Sequence, residues 1–308
     1  MFKNMSRFAR LQIILVAIIC LVLVAPVEAK KAQKKHRRAV APKAKAVVPA
    51  VKSIVLIDMT TGKILQSRNA DLAMQPASIT KVLSLYMVYE AVYAGKARWS
   101  DRVRISSRAA RTGGTRMYLE PNTEATLGEL VTGMSVVSAN DASVAVAEHL
   151  GGSVEAFVEQ MNLQAKELGM TGSCFKTPNG LPAKGQYTTA ADIVKLSTAY
   201  LDRFPASLAI HAMQKYTYHG ITQFNRNRLL GHYQGVDGLK TGYVGKAGWH
   251  IAVTAKHGDT RLLAVLMGAN NPKFRNKEAA KLLDQGFAMV NGEKAVVLKN
   301  ASAAGRLL

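Results

Sequence analysis

From residue 51 to 290 the sequence is strand-like at both ends and helix-like in the middle, and a chain of that texture has few ways to bury its apolar faces. Residues 53–58 are rich in β-branched side chains. Thr61-Gly62 then makes a turn and 63–67 form a second strand, which reads as a hairpin. Residues 78–92 carry Leu, Tyr, Met and Val at helical spacing. Residues 127–137 and 141–150 read as two helices meeting at Ser138-Ala139-Asn140. Residues 154–168 form another, stopped by Gly169, and 189–201 form one behind a Thr188/Thr189 cap. Strand texture returns at 215–219, 239–241, 249–256 and 261–267, and 278–290 close as a helix. Strand blocks enclosing a helical middle predict an α/β sandwich with an antiparallel sheet. At 308 residues and 48% hydrophobic, the chain is long and apolar enough for a sizeable core in one large or two small domains. There is no internal repeat.

Charge is concentrated at the start. The chain has 41 Lys+Arg against 20 Asp+Glu, a net of +21. Lys3, Arg7 and Arg10 precede an apolar run over 11–25, broken only by Gln12, and Val27-Glu28-Ala29 follows. This is the pattern of a secretory signal, residues 1–29. The run is shorter than the roughly 20 residues a spanning helix needs. Cleavage after Ala29 and retention as an uncleaved anchor both remain open, and both predict export, to the periplasm or the outer face of the cytoplasmic membrane. Cys20 follows Ile19, which is too large for a lipoprotein site. With the signal removed only Cys174 is left, so no intramolecular disulfide and no thiolate metal site can form; Cys174 reads as a small buried hydrophobe. Residues 30–50 are Lys, Ala, Pro and Val without periodicity, and 30–45 hold eight basic residues and no acidic one. They read as a disordered, extended basic arm. It serves either as a solvated spacer or as an attachment to an anionic membrane or wall polymer. Export, and the lack of aromatic residues between the charges, argue against nucleic acid.

Three short motifs punctuate the sandwich. Ser78 and Lys81 in Ser78-Ile79-Thr80-Lys81 share one face at a helix start. A serine hydroxyl is a poor nucleophile until a base takes its proton, and lysine is such a base only where its charged form is disfavoured. Val82, Leu83 and Leu85 place Lys81 against the core, as this chemistry needs. Ser138 and Asn140 sit where two helices meet, so both can face a cleft: Ser138 to relay a proton to a departing amine, Asn140 to hold Lys81 and a substrate amide. Lys240-Thr241-Gly242 reads as an edge strand, on which an extended peptide can pair by strand addition; Gly242 lets its backbone approach closely. Taken singly, these are a capped helix with an exposed lysine, a helix break with an Asn cap, and a turn into a strand. In this order on one chain they are the S-x-x-K, S-x-N, K-T-G set of acyl-transfer enzymes that work through a serine ester.

The chain resembles the low-molecular-mass penicillin-binding proteins, the serine D-alanyl-D-alanine carboxypeptidase family, over about 51–290. The resemblance extends to Pro76-Ala77-Ser78-Ile79-Thr80-Lys81, Ser138-Ala139-Asn140-Asp141-Ala142-Ser143, Lys166-Glu167-Leu168-Gly169-Met170, Thr177-Pro178-Asn179-Gly180-Leu181 and Asp237-Gly238-Leu239-Lys240-Thr241-Gly242-Tyr243. It implies a penicillin-binding-protein/β-lactamase-like transpeptidase fold, an antiparallel sheet flanked by helices with a mainly helical second lobe. It also implies a mechanism. Ser78, with Lys81 as base, attacks the penultimate D-Ala carbonyl of a peptidoglycan stem pentapeptide. The Ser78 and Tyr243 N–H groups hold the oxyanion, and Ser138 and Asn140 complete the catalytic group. Lys240, Thr241 and Arg275 hold the terminal carboxylate, with Gly242 and Tyr243 along the substrate. Neither metal nor organic cofactor is implied, and penicillin is expected to acylate Ser78 and leave slowly.

Many relatives carry a further C-terminal β-domain and a membrane anchor. Only residues 291–308 follow the closing helix as read here, too few for either. Relatives without that domain include D,D-endopeptidases, which cut cross-links, so trimming of free stems and cleavage of cross-links both remain open. The motifs allow two other readings. A class A β-lactamase requires a deacylating glutamate, but Glu148, Glu155, Glu159 and Glu167 all fall on predicted helices outside the expected setting. A low-turnover wall-binding protein would use the cleft without rapid chemistry.

Overall fold

The strand blocks from the two ends of the sequence pair into one sheet. The computed structural model describes residues 51–304, with side chains to 292; the expected signal segment, basic arm and last four residues lie outside the described residues. The chain opens with the hairpin β1 (Ser53–Asp58) and β2 (Ile64–Arg68). A 3₁₀ turn (Ala77–Thr80) leads into helix α1 (Lys81–Tyr93). The short strands β3 (Arg102–Arg104) and β4 (Glu124–Thr126) flank α2 (Ser107–Ala110). Then come α3 (Leu127–Thr132), a π turn (Gly133–Val137), α4 (Asn140–Gly151), α5 (Val154–Glu167), α6 (Ala190–Arg203) and α7 (Leu208–His211). The hairpin β5 (Lys215–Tyr218) and β6 (Ile221–Phe224) precedes β7 (Val236–Val244), β8 (Gly248–His257), β9 (Thr260–Ala269) and α8 (Pro272–Ala304).

The main sheet has the order β2-β1-β9-β8-β7, antiparallel throughout, so β7 is an edge strand as its motif predicts. Side chains alternate between its faces, and both faces are covered. Leu56, Ile251, Val253, Leu262, Ala264 and Leu266 pack with Ala279, Leu282, Leu283 and Phe287 of α8. The intervening residues Val55, Ile57, Ala252, Leu263, Val265 and Met267 join the core of the helical lobe. Burial on both faces explains why these strands read as apolar runs and not as alternating ones.

Helix caps match the sequence reading at several ends. Thr189 Oγ1 accepts from Asp192 N, Ser153 caps α5, and Gly169, just past α5, takes a left-handed φ of +71°. Thr126 and Glu129 form a reciprocal capping box at α3. Three elements depart from expectation. The helix expected from 127 to 137 finishes as a π turn ending at Ser138, whose φ of +66° breaks the helix. Ser78 sits in the 3₁₀ turn, one turn ahead of the α-helix proper. The closing helix runs Pro272–Ala304, beyond the expected 278–290, because helix-forming residues continue after the apolar periodicity ends.

Leu263 is fully buried where the sheet meets the helical lobe. Leu263→Ala is expected to lower unfolding free energy by about 2–5 kcal/mol, read as a fall in the urea midpoint.

Candidate active site

Ser78 is fixed from both sides. Immediately before it, Ala77 adopts φ +49°, and Gln75 O accepts a hydrogen bond from His250 Nε2 (3.0 Å). Gly268 N donates to His250 Nδ1 (2.9 Å), which assigns the ring as the Nε2–H tautomer. Burial lowers the His250 pKa to about 4, so a neutral imidazole ties the nucleophile segment to β8 and β9. On one flank Gly180 (φ +80°) packs so closely that a Cβ there would lie 1.8 Å from Ala77 O. On the other, a Cβ on Gly242 would lie 3.0 Å from Ala77 Cβ and 3.1 Å from Ser78 N. Glycine at these two positions lets a loop and the edge strand close on the serine.

Lys81 is fully buried at the start of α1. Its Nζ lies 2.7 Å from Asn140 Oδ1, 2.9 Å from Asn179 O and 3.0 Å from Ser78 Oγ. Desolvation, reinforced by the Lys240 charge and opposed by Asp141, holds its pKa well below the usual lysine range. A neutral amine has two N–H donors and one lone pair. Asn179 O can only accept. Asn140 also presents an acceptor, because its Nδ2 donates to Gly113 O (2.8 Å). Ser78 is the single partner of the three that can donate, so the lone pair faces its hydroxyl. When Lys81 is unprotonated, the arrangement aims its lone pair at Ser78 Oγ.

The Ser138–Asn140 corner is built by a crossing loop. Asn140 N donates to Thr115 O (2.7 Å) and Thr115 Oγ1 to Ser138 O (2.6 Å). The buried Asp141 carboxylate accepts from Met117 N (3.1 Å) and Leu119 N (3.2 Å). Ser138 is thereby held in its left-handed conformation, lining the same cleft as Ser78 and Asn140.

The rest of the site is cationic. Lys240 is buried, and its one hydrogen bond among the described residues is to Thr241 O (3.2 Å). Desolvation, then Arg226 and Arg275, lower its pKa to about 7. Arg275 is also buried. Its Nε and Nη2 donate to Asn276 Oδ1 (3.0 and 2.7 Å) and its Nη1 to His250 O (3.3 Å); desolvation lowers its pKa to about 10. Neither has a carboxylate partner among the described residues. The cleft encloses about 680 Å³ and is lined by Arg226, Arg228, Lys273 and Arg275 but, among the described residues, by no acidic side chain. Buried cations without anions form a receptor for one.

All nine residues singled out from sequence converge here. Ser78, Ser138, Asn140, Thr241, Gly242, Tyr243 and Arg275 line the cleft, with Lys81 and Lys240 buried beside it. Sequence reasoning missed Arg226, His250 and the Asn179 carbonyl. Arg226 is flanked by two buried asparagines that bolt its segment down: Asn227 Nδ2 donates to Gly238 O (2.9 Å), and Asn225 Nδ2 to Met213 O (3.0 Å). The Asn225-Arg226-Asn227 run was the available signal.

The family model described as D-alanyl-D-alanine carboxypeptidase matches residues 39–271. The D-alanyl-D-alanine carboxypeptidase DacF of Bacillus subtilis is 40% identical over 256 residues, 77% of this chain and 62% of that protein. DacA of Escherichia coli K12 is 37% identical over 255 residues, 79% and 63%. The chain thus spans about three fifths of the length of these curated relatives. Among solved structures, penicillin binding protein 5 from Haemophilus influenzae superposes with TM-score 0.76 at 36% identity, covering 78% of this chain and 72% of that one. Penicillin-binding protein D2 from Listeria monocytogenes in its ampicillin-bound form gives 0.71 at 29% identity, covering 77% and 97%. The fold is that of the penicillin-binding proteins.

Gly242→Ala is expected to press β7 away from Ser78 and slow acylation by a fluorescent penicillin about tenfold. The thermal midpoint should change little, since β7 is an edge strand.

Proposed function

Because the chain belongs to the D-alanyl-D-alanine carboxypeptidase family, we propose that it is a serine-type D,D-carboxypeptidase that removes the terminal D-Ala from peptidoglycan stem pentapeptides. The observation that carries this reading is the buried Lys81 amine, whose lone pair has the Ser78 hydroxyl as its one donating partner.

The substrate lies along the edge of β7. Its terminal carboxylate is taken by Lys240, Thr241 and Arg275, with Arg226 adding charge, and its scissile carbonyl lies over Gly242. Ser78 Oγ bonds to the carbonyl carbon as its proton passes to Lys81 Nζ, and the carbonyl π pair moves onto oxygen. The Ser78 and Tyr243 N–H groups receive that oxyanion. The closeness of Gly242 to Ser78 N supports this pairing. Collapse of the intermediate breaks the C–N bond, and the amine of D-Ala leaves with a proton relayed through Ser138. Water then attacks the ester, Lys81 takes its proton, and Ser78 is released. A β-lactam carries an acylating carbonyl and a carboxylate and fits the same groups. It would persist as an ester, because among the described residues no glutamate or aspartate lines the cleft to drive hydrolysis. This also disfavours a β-lactamase. The activity is that of an exported enzyme, and the basic arm over 30–45 would hold it to anionic membrane or wall polymer.

Ser78→Ala is expected to abolish penicillin labelling and reduce D-Ala release on the order of 10⁴-fold or more, with an unchanged circular dichroism spectrum. Retained release would overturn the reading.

The pH profile follows from two lysines with opposite requirements. Lys81 works unprotonated, so kcat/KM rises as pH passes its depressed pKa. Lys240 works protonated, and in the free enzyme its charge is lost as pH rises through about 7, so kcat/KM falls above that. A bound carboxylate favours the charged form, so the alkaline limb should lie higher in kcat than in kcat/KM. Lys240→Arg keeps its charge at every accessible pH and is expected to remove the alkaline limb.

A further inference from the structure

His250 lies directly opposite Gly242 in the β7–β8 register, and side chains of directly opposed residues share a sheet face. The imidazole therefore stands on the face from which a Cβ on Gly242 would meet Ala77 and Ser78. It is fully buried there, and its ring spans from β8 to the carbonyl of Gln75, just ahead of the turn that carries Ser78.

A bulge holds the ring in this position. Between the pairs Trp249–Ala269 and Ile251–Leu266, β8 contributes His250 alone while β9 contributes both Met267 and Gly268. A bulge leaves its extra residue out of the ladder, and beside an active site it can re-aim a side chain. Here Gly268, at φ +79°, donates its N–H to His250 Nδ1 (2.9 Å). That bond leaves Nε2 as the protonated nitrogen and directs it to Gln75 O (3.0 Å). A larger residue at position 268 is opposed by this φ and by Lys52 and Met74, whose side-chain atoms would lie 2.8 Å from its Cβ. The main-chain carbonyl of His250 serves the other half of the site, accepting from Arg275 Nη1 (3.3 Å).

We propose that His250 is a positioning residue for acyl transfer: its ring is the spacer that sets the gap between the nucleophile turn and β7, and so the width of the oxyanion site between the Ser78 and Tyr243 N–H groups. This rests on the serine acyl-transfer reading above. A Cβ on Gly242 would stand 3.1 Å from Ser78 N, so the turn and the edge strand are already in close contact, and a small shift of the turn over β8 alters the gap directly. Oxyanion donors act on charge that develops in the transition state and contribute little to ground-state binding. The carboxylate clamp meets His250 only through its main chain, so a change confined to the ring leaves the clamp in place. Loss of the ring therefore slows both formation and hydrolysis of the ester, since each passes through an oxyanion, while binding before acylation is unaltered.

The test uses a fluorescent penicillin on the full chain, below the thermal midpoint of every variant. Saturation kinetics give its dissociation constant and acylation rate constant, and loss of label gives ester hydrolysis. Two amide side chains divide the ring's two bonds. His250→Gln carries a donor near the place of Nε2 and can still reach Gln75 O; His250→Asn carries an acceptor near the place of Nδ1 and keeps only the bond from Gly268. His250→Asn and His250→Leu are expected to lower both rate constants on the order of 10- to 100-fold with an unchanged dissociation constant, and His250→Gln to recover most of that loss. Nitrogen NMR of the wild-type ring is expected to show the neutral Nε2–H tautomer. Equal rates in His250→Gln and His250→Asn, binding weakened as much as the rate falls, a fall confined to ester formation, or an Nδ1–H tautomer would each overturn the role. The comparison of the two amides decides the matter even where His250→Leu does not fold. A wild type that penicillin does not acylate would overturn the acyl-transfer reading, and the positioning role with it.

Discussion

The buried amine of Lys81 is the constraint around which the helical lobe is arranged. Its partners come from three separate segments: the 3₁₀ turn that carries Ser78, the start of α4 at Asn140, and the loop that presents the Asn179 carbonyl. A lysine sealed from solvent is tolerable only if each of its hydrogen-bonding positions is met, so the three segments must meet at one point. The loop around Asn179 is stapled for this purpose. Gln186 Oε1 accepts from Lys176 N and Thr177 N, both at 3.0 Å, Gln186 Nε2 donates to Leu181 O (2.8 Å), and Ser84 of α1 donates to Pro178 O (2.6 Å). The packing thus serves both to satisfy a buried polar group and to aim a base.

Strain and unpaired charge gather at the same place. Ala77 and Ser138, neither of them glycine, both hold positive φ, at a cost of about 1–3 kcal/mol each where the surroundings enforce it. Lys240 and Arg275 are buried without carboxylates among the described residues, which disfavours their charged forms. Elsewhere the fold follows the rules that stabilise it: a two-faced sheet with alternating burial, capped helices, and a helix packed along the full core of one sheet face. Non-glycine residues also take positive φ at Asn69, Tyr118, Asn122 and His219, so strain alone does not mark the cleft; its coincidence there with buried cations lacking carboxylate partners among the described residues does.

Much of this was legible because sequence period and sheet geometry are tightly linked. The β1–β2 hairpin, the edge position of β7 and the helix ends at Gly169 and Thr189 each follow from turn residues and spacing. The meeting of Ser78, Lys81 and Asn140 in space was legible as well, since these three fall at element boundaries where side chains enter clefts, whereas Lys240 lies within β7 at the sheet's edge. What was not legible depends on atoms or contacts that residue type does not report. The third partner of Lys81 is a backbone carbonyl, and every residue has one. His250 gives no sign in sequence that it is neutral and bridges Gln75 and Gly268. Arg226 reads as one basic residue among many until Asn225 and Asn227 are seen anchored beneath β7. The π turn before Ser138 lies within a stretch whose helical periodicity is intact, and tertiary contacts to the 113–119 loop decide its conformation.

The two buried lysines form a coupled device. In the proposed mechanism Lys81 must remain without a proton while a carboxylate is brought into the same cleft, and an anion alone would raise its pKa and disarm the base. Lys240 meets that anion first. With a pKa held near 7 by burial and by Arg226 and Arg275, it can take up a proton as the carboxylate arrives, and the resulting pair carries no net charge. In the proposed mechanism that pairing limits, without abolishing, the change in field at Lys81, whose pKa the Lys240 charge itself helps to depress. This explains why the second cation is buried when an exposed arginine would suffice for attraction. An exposed cation would be screened by water and salt and would transmit little of its charge to Lys81, whereas Lys240, in the low-dielectric interior, acts on the anion and on the base at once.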